Sequence, residues 1–173
     1  MVIRNNLNLK VATTDQVREI CELVNLGYRG KKGWTRETEI VSGERATETE
    51  IKLAIENPDS HLLVYIKNDE FLSCICVEKK MNNAYIGLFV VHPRLQGNGI
   101  GKKILKLAEE YASNMLGVDK YVMVVVSQRH ELISYYERRG YVLTGETEEY
   151  PVHLDVGIPK ISGLTIEYLE KNV

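Results

Sequence analysis

The chain has 173 residues, 44% of them hydrophobic, enough to bury one sizeable core and too few for two comfortable domains. Its 22 lysines and arginines nearly balance 24 aspartates and glutamates, which excludes the strong basic field of a nucleic-acid or anionic-membrane binder and leaves partners to be selected by shape. Residues 1–10 lack a signal peptide's apolar core, and the longest fully apolar run, residues 121–126, is far short of the roughly 20 residues that cross a bilayer. The expectation is one soluble, cytoplasmic domain over residues 1–173, with no nucleic-acid and no membrane partner.

In chain order, residues 9–12 alternate into a short strand. Thr13, Thr14 and Asp15 supply N-cap chemistry for a helix that turns Val17, Ile20, Cys21, Val24 and Leu26 inward. Residues 27–34 break it with three glycines around a cationic patch and the only tryptophan, Trp34. Thr47 to Glu50 reads as a capping box, opening a second helix that stops at Asn57-Pro58. Strands follow at 62–66 and 71–77, joined at Asn68-Asp69, and a turn at 81–83 leads into a third at 85–91. Cys74 and Cys76 fall on one face of one strand, where no mutual disulfide forms easily. With Cys21 they read as buried free thiols of a reducing compartment, and no metal site accompanies them.

Pro93 ends the 85–91 strand, since it cannot donate to a ladder. Beyond it Ile100, Ile104, Leu107, Ala108, Tyr111 and Met115 recur at helical spacing, leaving Lys102, Lys103, Lys106, Glu109 and Glu110 wet. Residues 121–126 read as a strand buried on both faces, parallel to 85–91 with the helix as crossover. A short helix at 132–138, a strand at 141–147, a loop flanked by Pro151 and Pro159, and an alternating strand at 163–169 complete the chain. The sum is α/β: a three-layer sandwich with a mixed central sheet of about seven strands.

Between the 85–91 strand and the long helix lies Gln96-Gly97-Asn98-Gly99-Ile100-Gly101. Glycines in a helix's first turn remove the Cβ atoms that would hold a ligand away from free backbone N–H groups, and those donors suit a phosphate. A P-loop needs four residues between its first Gly and Gly-Lys, then Ser or Thr; Gly97 to Gly101 leaves three, and Lys103 follows Lys102. A Rossmann fingerprint would want its third Gly at Lys102 and an acid at the end of the next strand, where Ser127 and Gln128 stand.

The pattern Q/R-x-x-G-x-G/A fits without a gap, extended upstream by Val91, Pro93 and Leu95, and Tyr136-Glu137-Arg138-Arg139-Gly140-Tyr141 supplies Y-E-x-x-G-F/Y at the proper interval. Over about residues 60–145 the chain therefore resembles the GNAT superfamily of acetyl-CoA-dependent N-acyltransferases. The resemblance implies that the sheet is splayed (the acyl-CoA N-acyltransferase fold). It implies acetyl-CoA as acyl-donor cosubstrate, its pantetheine paired with the main chain of Phe89, Val90 and Val91 and its pyrophosphate held by the turn amides of Gly97, Asn98, Gly99, Ile100, Gly101 and Lys102, with Gln96 counted among the cofactor-binding residues. Tyr136 would be the acid that protonates the departing thiolate, with Tyr135 as rival. The acceptor would be a primary amine of a small molecule or peptide, attacking directly through a tetrahedral intermediate, and the habit of the family allows a homodimer. The second reading is a catalytically silent CoA-binding module that regulates or binds a partner.

Two departures from the family pattern bear on the site. Tyr85 stands where protein-lysine acetyltransferases of the superfamily commonly place a Glu, and Arg129 stands where many members have Asn; Arg129 would reach a phosphate or face solvent. Arg29, Trp34 and Arg36 fall in the segment that forms part of the acceptor wall, so Arg29 and Trp34 are candidate substrate-binding residues. Glu78, His92, Glu146, Glu148, Glu149, His153 and Asp155 are candidate bases or cation binders, or simply solvated charge.

Overall fold

The computed structural model describes residues 7–33 and 37–173; Trp34 and Arg36 lie outside the described residues. The strands are β1 (Lys10–Val11), β2 (Val41–Ser42), β3 (Ser60–Lys67), β4 (Glu70–Lys80), β5 (Asn83–Val91), β6 (Lys120–Val126), β7 (Val142–Glu149), β8 (Ile158–Pro159) and β9 (Thr165–Asn172). The helices are α1 (Val17–Arg29), α2 (Glu48–Glu56), α3 (Ile100–Leu116) and α4 (His130–Glu137). Seven strands form one mixed sheet in the order β1-β3-β4-β5-β6-β9-β7, and β2 pairs with β8 in a separate ribbon. No helix among the described residues is long and apolar enough to cross a membrane.

Local chemistry accounts for the frame. Asn68 and Asp69 both take positive φ, the conformation that a two-residue hairpin of right-handed twist requires. Thr47 and Glu50 cap α2 reciprocally, Thr47 N–H donating to Glu50 at 2.7 Å and Glu50 N–H to Thr47 at 3.3 Å. Successive residues of a strand face opposite sides, and the core divides accordingly. Leu63, Ile75, Val77, Ala84 and Ile86 pack against Ile104, Leu105, Ala108 and Ala112 of α3 and Ile133 and Tyr136 of α4. Leu62, Val64, Cys74, Cys76 and Val90 pack against α1 and α2. All three cysteines are buried and free.

The parallel β5·β6 pair is present as expected, but only from Asn83↔Lys120 to Ile86↔Met123. Beyond that point the strands part, and the sheet splays. On β5's other side the register with β4 shifts between Cys76↔Gly87 and Cys74↔Val90, so Leu88 and Phe89 together oppose Ile75. Leu88 takes φ +45° there. Such a bulge bends its strand and leaves main-chain groups unpaired, which turns β5 away from β6 at the glycine turn.

Several expectations need correction. The α1 helix runs through Gly27 to Arg29; Gly27 does not break it but lets it approach Val90 closely. Leu26 and Met115 (70% exposed) point to water rather than the core, each lying off the stripe that meets the sheet. Glu109 is not wet: it is 8% exposed, and its carboxylate accepts from Tyr141 Oη and Lys171 Nζ, both at 2.8 Å. The strand at 120–126 is buried on both faces as expected, Val122 and Val126 on one and Tyr121, Met123 and Val125 on the other, except at Val124, which is 43% exposed.

Candidate active site

The glycine turn is open. Gly97 and Gly99 have φ of +81° and +75°, the left-handed region that disfavours a side chain, and a Cβ on either would project into empty space. No side chain caps α3, and its ladder begins with Lys103 N–H donating to Gly99 O at 3.3 Å. The N–H groups of Ile100, Gly101 and Lys102 precede that first bond and are the orphan donors of a helix start. Gly101 is small for another reason: a Cβ there would meet the Tyr135 hydroxyl at 2.9 Å.

A cavity of about 310 Å³ lies against this turn, lined by Phe89, Val91, Gln96, Gly97, Gly99, Gly101 and Lys102 on one side and by Leu132, Tyr135, Tyr136, Arg138 and Arg139 of α4 and its exit on the other. Gln96 Nε2 donates to Val91 O at 3.0 Å, tying the turn to the end of β5. Arg139 lies 3.3 Å from the Tyr135 ring centroid, and its Nε is buried without a hydrogen-bond partner among the described residues. A buried cationic donor left unpaired beside open helix-start amides is what a phosphate-bearing ligand would satisfy. Arg138 and Arg139 fall inside the Y-E-x-x-G segment, where the sequence pattern assigns them no role; the basic pair is the signal that could have found them.

A second cleft, about 640 Å³, occupies the splay between β5 and β6 and extends along β6, β9 and β7. The two cavities share four lining residues, Tyr28, Phe89, Leu132 and Tyr136. Tyr136 therefore sits at their junction. Its side chain is 5% exposed and packed edge-on against Tyr135 and Tyr141, centroids 5.3 and 5.9 Å away. Burial, then the neighbouring Tyr28 and Tyr135, hold its phenol well above the ordinary tyrosine range. The structure gives its hydroxyl no protein hydrogen bond among the described residues; it faces the cavities protonated.

The predicted site residues divide. Phe89, Val91, Gln96, Gly97, Gly99, Gly101, Lys102 and Tyr136 line the first cavity, whereas Asn98 and Ile100 belong to the turn without lining it. Val90 turns its side chain into the α1 packing, and its carbonyl accepts from Ser73 Oγ at 2.6 Å. Arg129 neither faces solvent nor lines the first cavity. It is 5% exposed and ion-paired with Glu131 and, at 3.7 Å, with Glu37. Arg29 is likewise spent on structure: Nε donates to Gly43 O, NH1 to Glu37 at 2.7 Å and NH2 to Val156 O, so no guanidinium nitrogen is left to meet an acceptor.

Of the candidate bases, Glu78, Glu148 and His153 line the cleft, beside Tyr85; the others do not. Glu37 and Arg45 line it too, and the sequence reading had left both unassigned. Val41, Val126, Tyr150, Leu164 and Ile166 form a small core of their own, which with the β2·β8 pairing joins the segment before α2 to the loop after β7.

An open glycine turn at a helix start, a splayed parallel pair and a buried tyrosine between two cavities make up this site. Residues 19–141 match the acetyltransferase (GNAT) family, and the chain belongs to that family. Three solved structures share the fold. An N-acetyltransferase from Staphylococcus aureus superposes with a TM-score of 0.72 at 15% identity, covering 96% of this chain and 97% of its own. An IAA acetyltransferase from Bacillus cereus gives 0.70 at 15%, covering 97% and 100%. A spermidine N-acetyltransferase from Vibrio cholerae gives 0.68 at 15%, covering 96% and 95%. No curated protein matches the sequence.

Proposed function

We propose that the chain is a single N-acetyltransferase domain that moves an acetyl group from acetyl-CoA to a primary amine of a small molecule or peptide. The observation that carries this reading is the meeting of the two cavities at Tyr136: one has the donors a diphosphate needs, the other has room for an acceptor. The donor supplies an activated acyl group as a thioester. The amides of Ile100, Gly101 and Lys102, with Arg139 and Lys102 as counter-charge, bind its phosphates. The main chain of Leu88, Phe89 and Val91, past the last β6 pair at Ile86, holds the pantetheine arm as an added strand would, Val91 through its N–H because Gln96 occupies its carbonyl.

In the transfer a C–N bond forms as the C–S bond breaks. The amine gives up one proton, and the thiolate takes one from Tyr136. A phenol held above its ordinary pKa of about 10 is fully protonated at neutral pH, as an acid must be. Its free hydroxyl has no internal hydrogen bond to break first. Glu78, Glu148 and His153 are the groups in the cleft able to accept the amine's proton.

The test is release of free thiol from acetyl-CoA with a pool of amines, alongside calorimetry with CoA. Tyr136→Phe is expected to lower kcat by about 10²- to 10⁴-fold, the range of a general acid, while CoA affinity stays nearly intact. Turnover insensitive to Tyr136→Phe removes the acid assignment. CoA binding without thiol release from any amine marks instead a silent CoA-binding module.

A further inference from the structure

The acetyltransferase reading leaves the acceptor open, and the charges along the cleft narrow it. Glu37 lies between Arg29 at 2.7 Å and Arg129 at 3.7 Å, and Glu78 pairs with Lys80 at 3.6 Å. Among the described residues two ionised groups of the lining have no opposite charge beside them, Glu148 and Arg45. Glu148 is exposed on the edge strand β7, where water serves it. Arg45 is different.

Its side chain is half-buried, with the guanidinium carbon 5.3 Å from the centroid of Tyr28, one of the four residues common to both cavities. Its backbone is fixed from behind by Asn25 of α1, which accepts from Arg45 N–H at 2.7 Å and Ala46 N–H at 3.3 Å and donates to Ala46 O at 2.9 Å. The cation is therefore held at the mouth of the reaction centre. Leu53, Val124, Leu154 and Ile166 are among the apolar side chains that line the same cleft. A partly desolvated guanidinium in such a setting gains most from a planar anion, which it can bind with two parallel hydrogen bonds.

We propose that Arg45 receives a carboxylate on the acceptor. The substrate class is then a primary amine that carries a carboxylate on an apolar or aromatic body, of which hydrophobic α-amino acids are the simplest members. Tyr28 and Tyr150 offer ring surface to that body. The assignment rests on the acetyltransferase reading and replaces Arg29, whose guanidinium is already engaged.

The experiment compares kcat/KM, wild type over variant, for three matched sets: hydrophobic amino acids, the amines that lack only the carboxylate, and the corresponding amides. Taking the ratio for each substrate cancels differences in amine reactivity. Arg45→Gln is expected to penalise the carboxylates at least about tenfold more than the other two sets, the weight of a hydrogen-bonded charge. Arg45→Lys should recover part of the difference by keeping the charge, and it serves if Arg45→Gln does not fold. An equal penalty on all three sets overturns the proposal. So does an enzyme that acetylates plain amines and rejects the carboxylates, although the acetyltransferase reading then survives. Failure with every amine removes that reading itself.

Discussion

Gly27 provides a test in which helix propensity and packing predict opposite signs. It lies in the last turns of α1, buried against β5. A methyl group placed there would sit 1.8 Å from Val90 Cγ2 and 3.2 Å from Val90 Cβ. Rotating the valine relieves only the first contact, because Cβ does not move with χ1, and ordinary carbon contacts need about 3.5–4.0 Å. Either α1 or β5 must shift. Propensity alone makes Gly27→Ala stabilising by about 1 kcal/mol. Overpacking costs about 1–3 kcal/mol or more, and with a clash this close the upper end applies, so a net loss of roughly 1–2 kcal/mol is expected. Val90→Ala alone loses about 1.5 kcal/mol for two buried methyl groups. Combined with Gly27→Ala it should lose much less than the sum, a coupling on the order of 2 kcal/mol. Urea unfolding of the four proteins, followed by circular dichroism, measures it. A Gly27→Ala variant as stable as the wild type, or additive behaviour in the pair, would refute the close approach.

Two further predictions follow from the turn and the tyrosines. Gly99→Ala forces a side chain to φ +75°, at a cost of about 1–2 kcal/mol, and crowds the first-turn amides; calorimetry with CoA should show weaker binding along with the lower stability, and unchanged affinity would mean that the turn is not the phosphate site. Burial raises the phenols of Tyr28, Tyr136, Tyr141 and Tyr150 above their ordinary value, so the folded chain holds those protons more tightly than the unfolded one. Their contribution is complete below about pH 10 and is lost as pH rises through the folded values. The urea midpoint should not fall from this cause until about pH 10, and a decline that begins near pH 8 would count against it.

What the sequence disclosed follows from the range of the interactions involved. The turn from β5 into α3 was legible because apolar period, Pro93 and glycine spacing are local signals, and Tyr136 came with a second ordered motif. The bulge at Leu88 left no local mark, since it is a mismatch of register with β4. Glu109 read as wet because its partners, Tyr141 and Lys171, stand 32 and 62 positions further on. Arg29 and Arg45 were equivalent cations on paper. Only the folded chain shows that carbonyls of Gly43 and Val156 and the carboxylate of Glu37 occupy the first and leave the second facing the cleft. The β2·β8 ribbon, two residues on each side, is too short for any periodicity to reveal.

That ribbon has a consequence for how the acceptor cleft can change. It joins Val41 to Pro159 and Ser42 to Ile158, so two walls far apart along the chain are stitched at one fixed pairing. Strand side chains alternate in direction, and a slip of a single position reverses every one of them. Lengthening or shortening either wall by one residue would turn its inward groups outward, whereas an added pair of residues would preserve their sense. Diversification of this cleft by insertion should therefore proceed in steps of two.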